Sequence, residues 1–575
     1  MLSRRKTLYL LFVLLLLLSL TLFTGCRAPT ADEPIDEDDT DVSEPDEPDE
    51  PDEPDEPDEP VRIVIAQGET TISWDPPQDW NTEGEWTIQN AYDYLFSRTS
   101  DGTGWEPELA KDWERIDDRT VRFYLEEGVK FHDGTEMTAE DVKFTYRRIL
   151  DGSRDLFMVF NQYQWIDHMV IHDDYTIDIV SKEPNGLFLW QLAQTNNGAG
   201  IVSKAYTERV GPEGLHEEAM GTGPFIPREY VRDEHILFDT NQNYWREPVN
   251  YDELEFRIIP EVSTRIAELM TGGVDITYDI RPEDEDRVNA QDHLRSEWVA
   301  TGRGIMLTIR TGVESNENWP EPDRPDEPEH NRVFATEDPR VREAIELAIN
   351  KTQLGEITGG IGQPFRSRGP FGPLPESSDY IYGPDADLYD PARAQEILEE
   401  AGYEPGEPTL VMHSPTRWPQ GDIAHIIADQ LEAVGFTVDL ILLDYSTWLT
   451  DITTPRRFQE FTLSDTGGNY NPFFATSEFT LGRMRQAPPT FEHDPPFMDQ
   501  LEAIDELLNQ AWTEVSDDEA RYAAFHEATA MIADLRYSRI GLIQRSTLWG
   551  MSDRIDYTPR RTDPDIYGYE IRYVP

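Results

Sequence analysis

Prolines stand at every third position from Pro45 to Pro60, and the two residues between each pair are Asp and Glu. Such a stretch cannot join a folded core. Proline removes the amide donor, neighbouring carboxylates repel, and the chain is left extended in polyproline II. Back to Arg27 the only sizeable apolar side chains are Ile35 and Val42, too few to nucleate packing. Residues 27–60 therefore read as a disordered acidic Pro-rich tether, and folding is confined to residues 61–575. At ~3.1 Å per residue the tether would reach on the order of 100 Å. It serves as a spacer, as a solubilising charge run, or as both.

The chain before the tether carries Arg4, Arg5 and Lys6, then an apolar run from Leu8 to Phe23. That run is short for a membrane span and suits the core of a secretory signal, so residues 1–26 are expected to be a signal peptide. The "LFTG" ahead of Cys26 resembles the bacterial lipobox, with Phe23 where Leu is usual. The resemblance implies lipidation of Cys26 and attachment to the membrane through that lipid, at the cell surface or in a periplasm. The other reading is an uncleaved anchor helix with a spare thiol. Cys26 is the only cysteine of the 575 residues, so no intrachain disulfide supports the body.

Formal net charge is −65; with +3 assigned to residues 1–26 and −17 to residues 27–60, the body keeps −51. Nucleic acid and anionic lipid are excluded as partners of such a surface. Only seven of the 49 basic residues are lysine. This acidity reads as halophilic adaptation, because concentrated salt screens the self-repulsion. A body of this length exceeds one comfortable core, so two or three lobes are expected.

Along the body, "VRIVIAQGE" (61–69) and "TVRFYLE" (120–126) alternate as strands, and "IQNAYDYLF" (88–96) has helical spacing. "TAEDVKFTYRRIL" predicts a helix capped by Thr138, and "MVIHDDYTIDIVS" a strand hairpin. "GGVDIT" (272–277) ends a helix and opens a short buried strand. "ARAQEILEEAG" puts Ala394, Ile397, Leu398 and Ala401 on one face, with Gly402 as its C-cap. Strand, helix and strand alternate over 409–443. An α/β lobe follows from pattern alone.

Nine phrases occur in order along the body: "PELAKDW", "VRFYLEEGVKFHDG", "MTAEDVKFTYRRI", "GTGPF" (221–225), "NQNYW" (241–245), "ELEFRIIPEVSTRIAELMTGGVDI" (253–276), "EDPRVREAIELAINKTQL" (337–354), "YDPARAQEILEEAGY" (389–403) and "IIADQLEAVGFTVDLILL" (426–443). Together they resemble the bacterial extracellular solute-binding proteins of family 5, the receptors of ATP-driven importers for oligopeptides, dipeptides, nickel chelates and some oligosaccharides. The resemblance implies an α/β, two-lobed periplasmic-binding-protein-like fold of type II with an extra inserted subdomain. Lobe I would comprise 61–105, 218–300 and 545–575, the insert 106–217, and lobe II 301–544. It further implies a monomeric ABC-importer receptor that holds an oligopeptide between lobes and delivers it to permease subunits. No cofactor is expected.

Ligand residues are sought in loops at the cleft edge. Trp74, in "ISWDPPQDW", would stack on ligand or brace its lobe; Trp418 and Arg417 follow the strand "TLVMH". "FTLSDTGGNYNPFF" (461–474) is similar to the family block that carries an Asp for a peptide's α-ammonium, a charge-assisted contact. Asp465 is that acid, or Asn469 has replaced it. The second register would favour a neutral solute such as an oligosaccharide, with Tyr470 and Phe473 as stacking surfaces. Arg366 and Arg368 lie in a Gly/Pro-rich loop and read as surface cations. His132 beside Asp133 reads as a structural turn, and His168 with His172 as part of a hairpin, so no metal site is expected. No GxSxG, HExxH or P-loop motif occurs, and the body has no cysteine. Catalysis is not expected; a secreted acidic glycoside hydrolase, with two facing carboxylates, is the distant alternative.

Overall fold

A computed structural model describes residues 60–71, 73–78, 82–100, 104–151, 163–192, 199–309, 335–357, 362–364, 388–417, 419–445, 447–448, 461–466, 495–535, 539–560 and 566–575. All lie in the unit Pro60–Pro575. The leader, Cys26 and the tether up to residue 59 lie outside the described residues. No helix among the described residues is long and apolar enough to cross a membrane.

The chain enters at β1 (Arg62–Gln67). Ile63 and Ile65 face one apolar cluster while Val64 and Ala66 face another, which is why this strand reads as an unbroken apolar run. Helix α1 follows (Thr82–Ala91), then the ribbon β2 (Phe96–Arg98) and β3 (Trp105–Pro107). The helix expected over 88–96 therefore ends at Ala91. The Gly223 amide donates to the Ala91 carbonyl at 3.1 Å, taking the acceptor that the next turn would need.

Strands β4 (Ala110–Asp117), β5 (Thr120–Leu125), β6 (Ile166–Asp173) and β7 (Thr176–Ser181) form a separate antiparallel sheet, ordered β4-β5-β7-β6. Helix α2 (Ala139–Leu150) interrupts it in sequence. The Asp141 carboxylate accepts the Thr138 amide at 3.0 Å and its hydroxyl at 3.2 Å, fixing the expected N-terminus. Helix α3 (Lys204–Glu217) leads to β8 (Phe225–Val231), β9 (His235–Thr240) and β10 (Glu253–Ile258). Helix α4 (Val262–Thr271) ends on Gly272 in the left-handed conformation and passes to β11 (Ile276–Thr277), as the sequence predicts.

Strand β12 (Leu294–Ile309) then runs out of the first core. Beyond it come α5 (Pro339–Ala348), β13 (Gly362–Pro364), α6 (Pro391–Ala401), β14 (Thr409–Pro415), α7 (Gln420–Ala433), β15 (Thr437–Leu443) and β16 (Phe461–Thr466). The antiparallel helices α8 (Pro495–Thr513) and α9 (Asp518–Leu535) precede β17 (Arg539–Ser552). The main sheet is ordered β15-β14-β16-β12-β17-β11-β1-β10-β9-β8, with β13 paired to β17. Strand β1 is parallel to β10 and β11, and β14 is parallel to β15 and β16. The expected strand–helix–strand unit over 409–443 is thus present.

Two strands join two cores. On β12, Val299 packs in the first core and Ile305, Leu307 and Ile309 in the second. On β17, Ile540, Leu542 and Ile543 belong to the second core and Trp549 and Met551 to the first. The pairing between them slips between Ala300 and Gly304 and again at Ile305/Met306. The register irregularity sits where the cores change over. Such bulges bend and twist a strand pair.

Candidate functional site

Parallel α/β sheets present loops at the carboxyl ends of their strands, and ligands collect there. In the first core those ends belong to β1, β10 and β11. After β1, the Gln67 side-chain amide donates to the Glu69 carbonyl at 2.8 Å, and the Glu69 amide donates to the Glu83 carboxylate in the first turn of α1. After β11, Asp279 takes a left-handed backbone, φ 57°, uncommon for a non-glycine residue. Its carboxylate accepts from Arg545 of β17 at 2.7 Å. An ion pair thereby ties the end of a first-core strand to a strand that crosses between cores. Arg265 is buried nearby, donating to the Ile259 and Pro260 carbonyls at 2.8 and 3.1 Å, with its guanidinium 5.2 Å from the Tyr278 ring.

The loop Ser73–Gln78 is pinned from three sides. Trp74 is 3% exposed, its ring edge-on to Tyr230 (6.2 Å) and Phe238 (5.9 Å). Its amide donates to the His216 carbonyl at 3.0 Å, and its carbonyl accepts the Tyr92 hydroxyl at 2.9 Å. Trp74 is thus packed within the first core. Asp75 is fully buried and pairs with Arg148 of α2. His216 Nδ1 lies 2.9 Å from Ser73 Oγ and 3.2 Å from Gln78 Oε1.

On the second core, Arg417 places its guanidinium 4.0 Å from the Tyr445 ring, and Tyr445 stacks on Trp448 at 5.4 Å. The Trp448 indole donates to Thr462 Oγ1, which donates to the His413 carbonyl, both at 2.9 Å. The cluster fixes the loop after β14 against β16. Asp465 pairs in register with Ile305, so its backbone sits beside the strand changeover. Trp418, Asn469, Tyr470 and Phe473, with Arg366 and Arg368, lie outside the described residues.

His132, His168 and His172 make hydrogen bonds within the fold. His132 Nε2 lies 3.1 Å from the Gly223 carbonyl, and burial lowers its pKa to about 4, so the ring stays neutral. The same carbonyl accepts from Asn241 at 3.1 Å. "FHDG", "GTGPF" and "NQNYW" thus converge on one peptide group. Gly223 itself cannot carry a side chain, because a Cβ there would lie 2.5 Å from the Ala91 carbonyl carbon. His168 bonds Asp167 at 2.9 Å, and His172 bonds Asp178 at 2.7 Å beside Arg122 within the β6–β7 hairpin.

Asp93 was hidden from sequence reasoning, being one acid in an expected helix. Its buried carboxylate accepts from Thr222 (2.8 Å), Tyr244 (2.8 Å) and Trp245 (2.9 Å), and burial raises its pKa despite these donors. Glu108 receives the Tyr94 amide at 2.8 Å; burial and the Asp93 charge push it up to about 7. A recess of about 440 Å³ is lined by Glu297, Val299, Asp556, Tyr557 and Arg572 among others, none of them an expected ligand residue.

Comparison with known proteins places this geometry. Residues 104–483 match the family model for bacterial extracellular solute-binding proteins, family 5 middle. A di/tripeptide-binding protein of Pseudomonas aeruginosa is 27% identical over 362 residues, 58% of this chain and 63% of the relative, just under two thirds of its length. A glutathione-binding protein of Pectobacterium atrosepticum is 29% identical over 385 residues, 66% of this chain and 69% of the relative. Among solved structures, a periplasmic binding protein from Helicobacter pylori in complex with the peptide STSA superposes with TM-score 0.71 at 22% identity, covering 89% of this chain and 98% of that one. The two-lobed periplasmic-binding-protein fold is shared.

Proposed function

Because this chain belongs to the bacterial extracellular solute-binding proteins of family 5, we propose that it is the extracytoplasmic receptor of an ABC importer. It captures an oligopeptide between its lobes and hands it, chemically unchanged, to the membrane permease. The family match over residues 104–483 carries the reading. Relatives named for dipeptide, tripeptide and glutathione binding support a peptide as solute. Two cores joined by β12 and β17 support a reading of two lobes hinged at those strands.

The finer assignments belong to the same reading. Lobe I comprises 61–105, 218–300 and 545–575, the insert 106–217, and lobe II 301–544. Asp465 meets the peptide ammonium, or Asn469 holds that slot for a neutral solute with Tyr470 and Phe473 as stacking surfaces; Trp418 serves the cleft, and Trp74 stacks on ligand or braces its lobe. Cys26 is lipidated, the tether lifts a monomer from the membrane, and the acidic body is adapted to high salt.

Thermal-shift titration in concentrated NaCl tests the solute class. Peptides of two to eight residues should raise Tm through binding to the folded state alone, and Asp465→Asn should weaken that binding at least tenfold. An oligosaccharide shift with inert peptides would move the assignment to neutral solutes.

A further inference from the structure

Helices α8 and α9 form a hairpin whose apolar interior contains Leu501, Ile504, Leu508, Phe525 and Ile532. Three residues, 536–538, separate it from the half of β17 that packs in the second core. Yet among the described residues its interior is completed by Leu187, which follows the β6–β7 sheet and is fully buried there. The next residue, Phe188, packs in the first core. Leu187 and Phe188 thus hold opposite sides of one contact.

The knob is preformed. Asn185 is buried, its Oδ1 accepts the Leu187 amide at 2.9 Å, its Nδ2 donates to Gln191 at 2.8 Å, and its amide donates to the Asp118 carbonyl at 3.0 Å. The socket is shaped to a bare backbone. Gly186 donates its amide to the Trp512 carbonyl at 2.9 Å, and a Cβ on Gly186 would lie 1.9 Å from the Glu514 carbonyl oxygen. Leu187, the partly buried Trp190 and one backbone hydrogen bond join a rigid turn to a hairpin leashed to the other core.

We propose that Gly186 and Leu187 are the knob of a clasp that fastens the two lobes while solute is held and releases when they part. The inference rests on the receptor reading. It assigns to the α8–α9 hairpin a role separate from the β12–β17 changeover. Holding the closed state, the clasp raises apparent affinity without touching the ligand, since affinity scales with the fraction of molecules in the competent state.

Amide hydrogen exchange on the whole folded chain tests this, with Met-Leu, trialanine and a tryptic casein peptide pool as probes. Protection of the Gly186 amide should rise on addition of a probe that shifts Tm. Leu187→Ala and Gly186→Val should abolish that rise and weaken binding about tenfold, a modest shift in the closed fraction. A Tm shift with Gly186 equally protected in free and bound protein overturns the clasp alone. Absence of a Tm shift from every probe overturns the receptor reading and the clasp with it. Leu501→Ala is the control: equal loss of Tm and of affinity in this variant and in Leu187→Ala would also overturn it, reducing Leu187 to core packing.

Discussion

Two buried acids and one buried histidine make opposite demands on pH. Glu108, raised to about 7 by burial and by Asp93, is most compatible with the fold when protonated. Its contribution is complete below the ordinary carboxylate range and is lost as pH rises through about 7. Glu108→Gln keeps an acceptor for the Tyr94 amide, so it should gain stability relative to the parent as pH climbs from 4.5 to 7.5, by at most about 3 kcal/mol. Chemical denaturation at several pH values reads this; a pH-independent difference contradicts it. His132, held neutral with a pKa of about 4, works the other way. Its contribution is present above the ordinary imidazole range and is lost as pH falls from about 6.5 toward 4. His132→Gln should flatten the acid side of the stability profile. The structural role of His132 was legible in its turn sequence, "FHDGT". The role of Asp93 was not, because its partners Thr222, Tyr244 and Trp245 lie more than a hundred residues away. Nothing local marks a carboxylate as a hub.

Elements were most legible where short-range rules act alone. Helix α6 is capped by Asp390, whose side chain accepts the Arg393 amide; it buries Ala394, Ile397 and Leu398 and is closed by Gly402 at φ 90°. Each feature is written within a dozen residues. Gly402→Ala would force a Cβ into the left-handed region and should cost about 1 kcal/mol, read as a lowered denaturation midpoint with unchanged slope. Gly223→Ala is the harsher case, because its neighbour is the α1 backbone rather than open space. It should cost several times more, on the order of 3 kcal/mol; equal costs would mean that "GTGPF" is not packed against Ala91. The overlong helix at 88–96 failed for the same reason that Gly223 matters. Apolar spacing continued past Ala91 while a distant amide had claimed its carbonyl. The α8–α9 hairpin and the sixteen-residue β12 were likewise invisible to local pattern, since β12 alternates against two different cores.

For the molecule as a whole, charge and hinge decide behaviour. A body of −51 should gain stability as salt rises, because the Debye length falls from ~10 Å at 0.1 M to ~3 Å at 1 M. Local relief exists, as where Arg62 bridges Glu253 and Glu255 and Arg228 bridges Glu253 and Asp239. It does not offset the excess. Tm should therefore climb between 0.1 and 2 M NaCl, and a flat or falling Tm would remove the halophilic reading. Whether the lobes seize a peptide and return it intact is read by native mass spectrometry of the folded chain after incubation with a defined peptide pool. A one-to-one complex, whose released peptide has its original mass, is expected. Bare protein, or peptides shortened or otherwise altered on release, would contradict it.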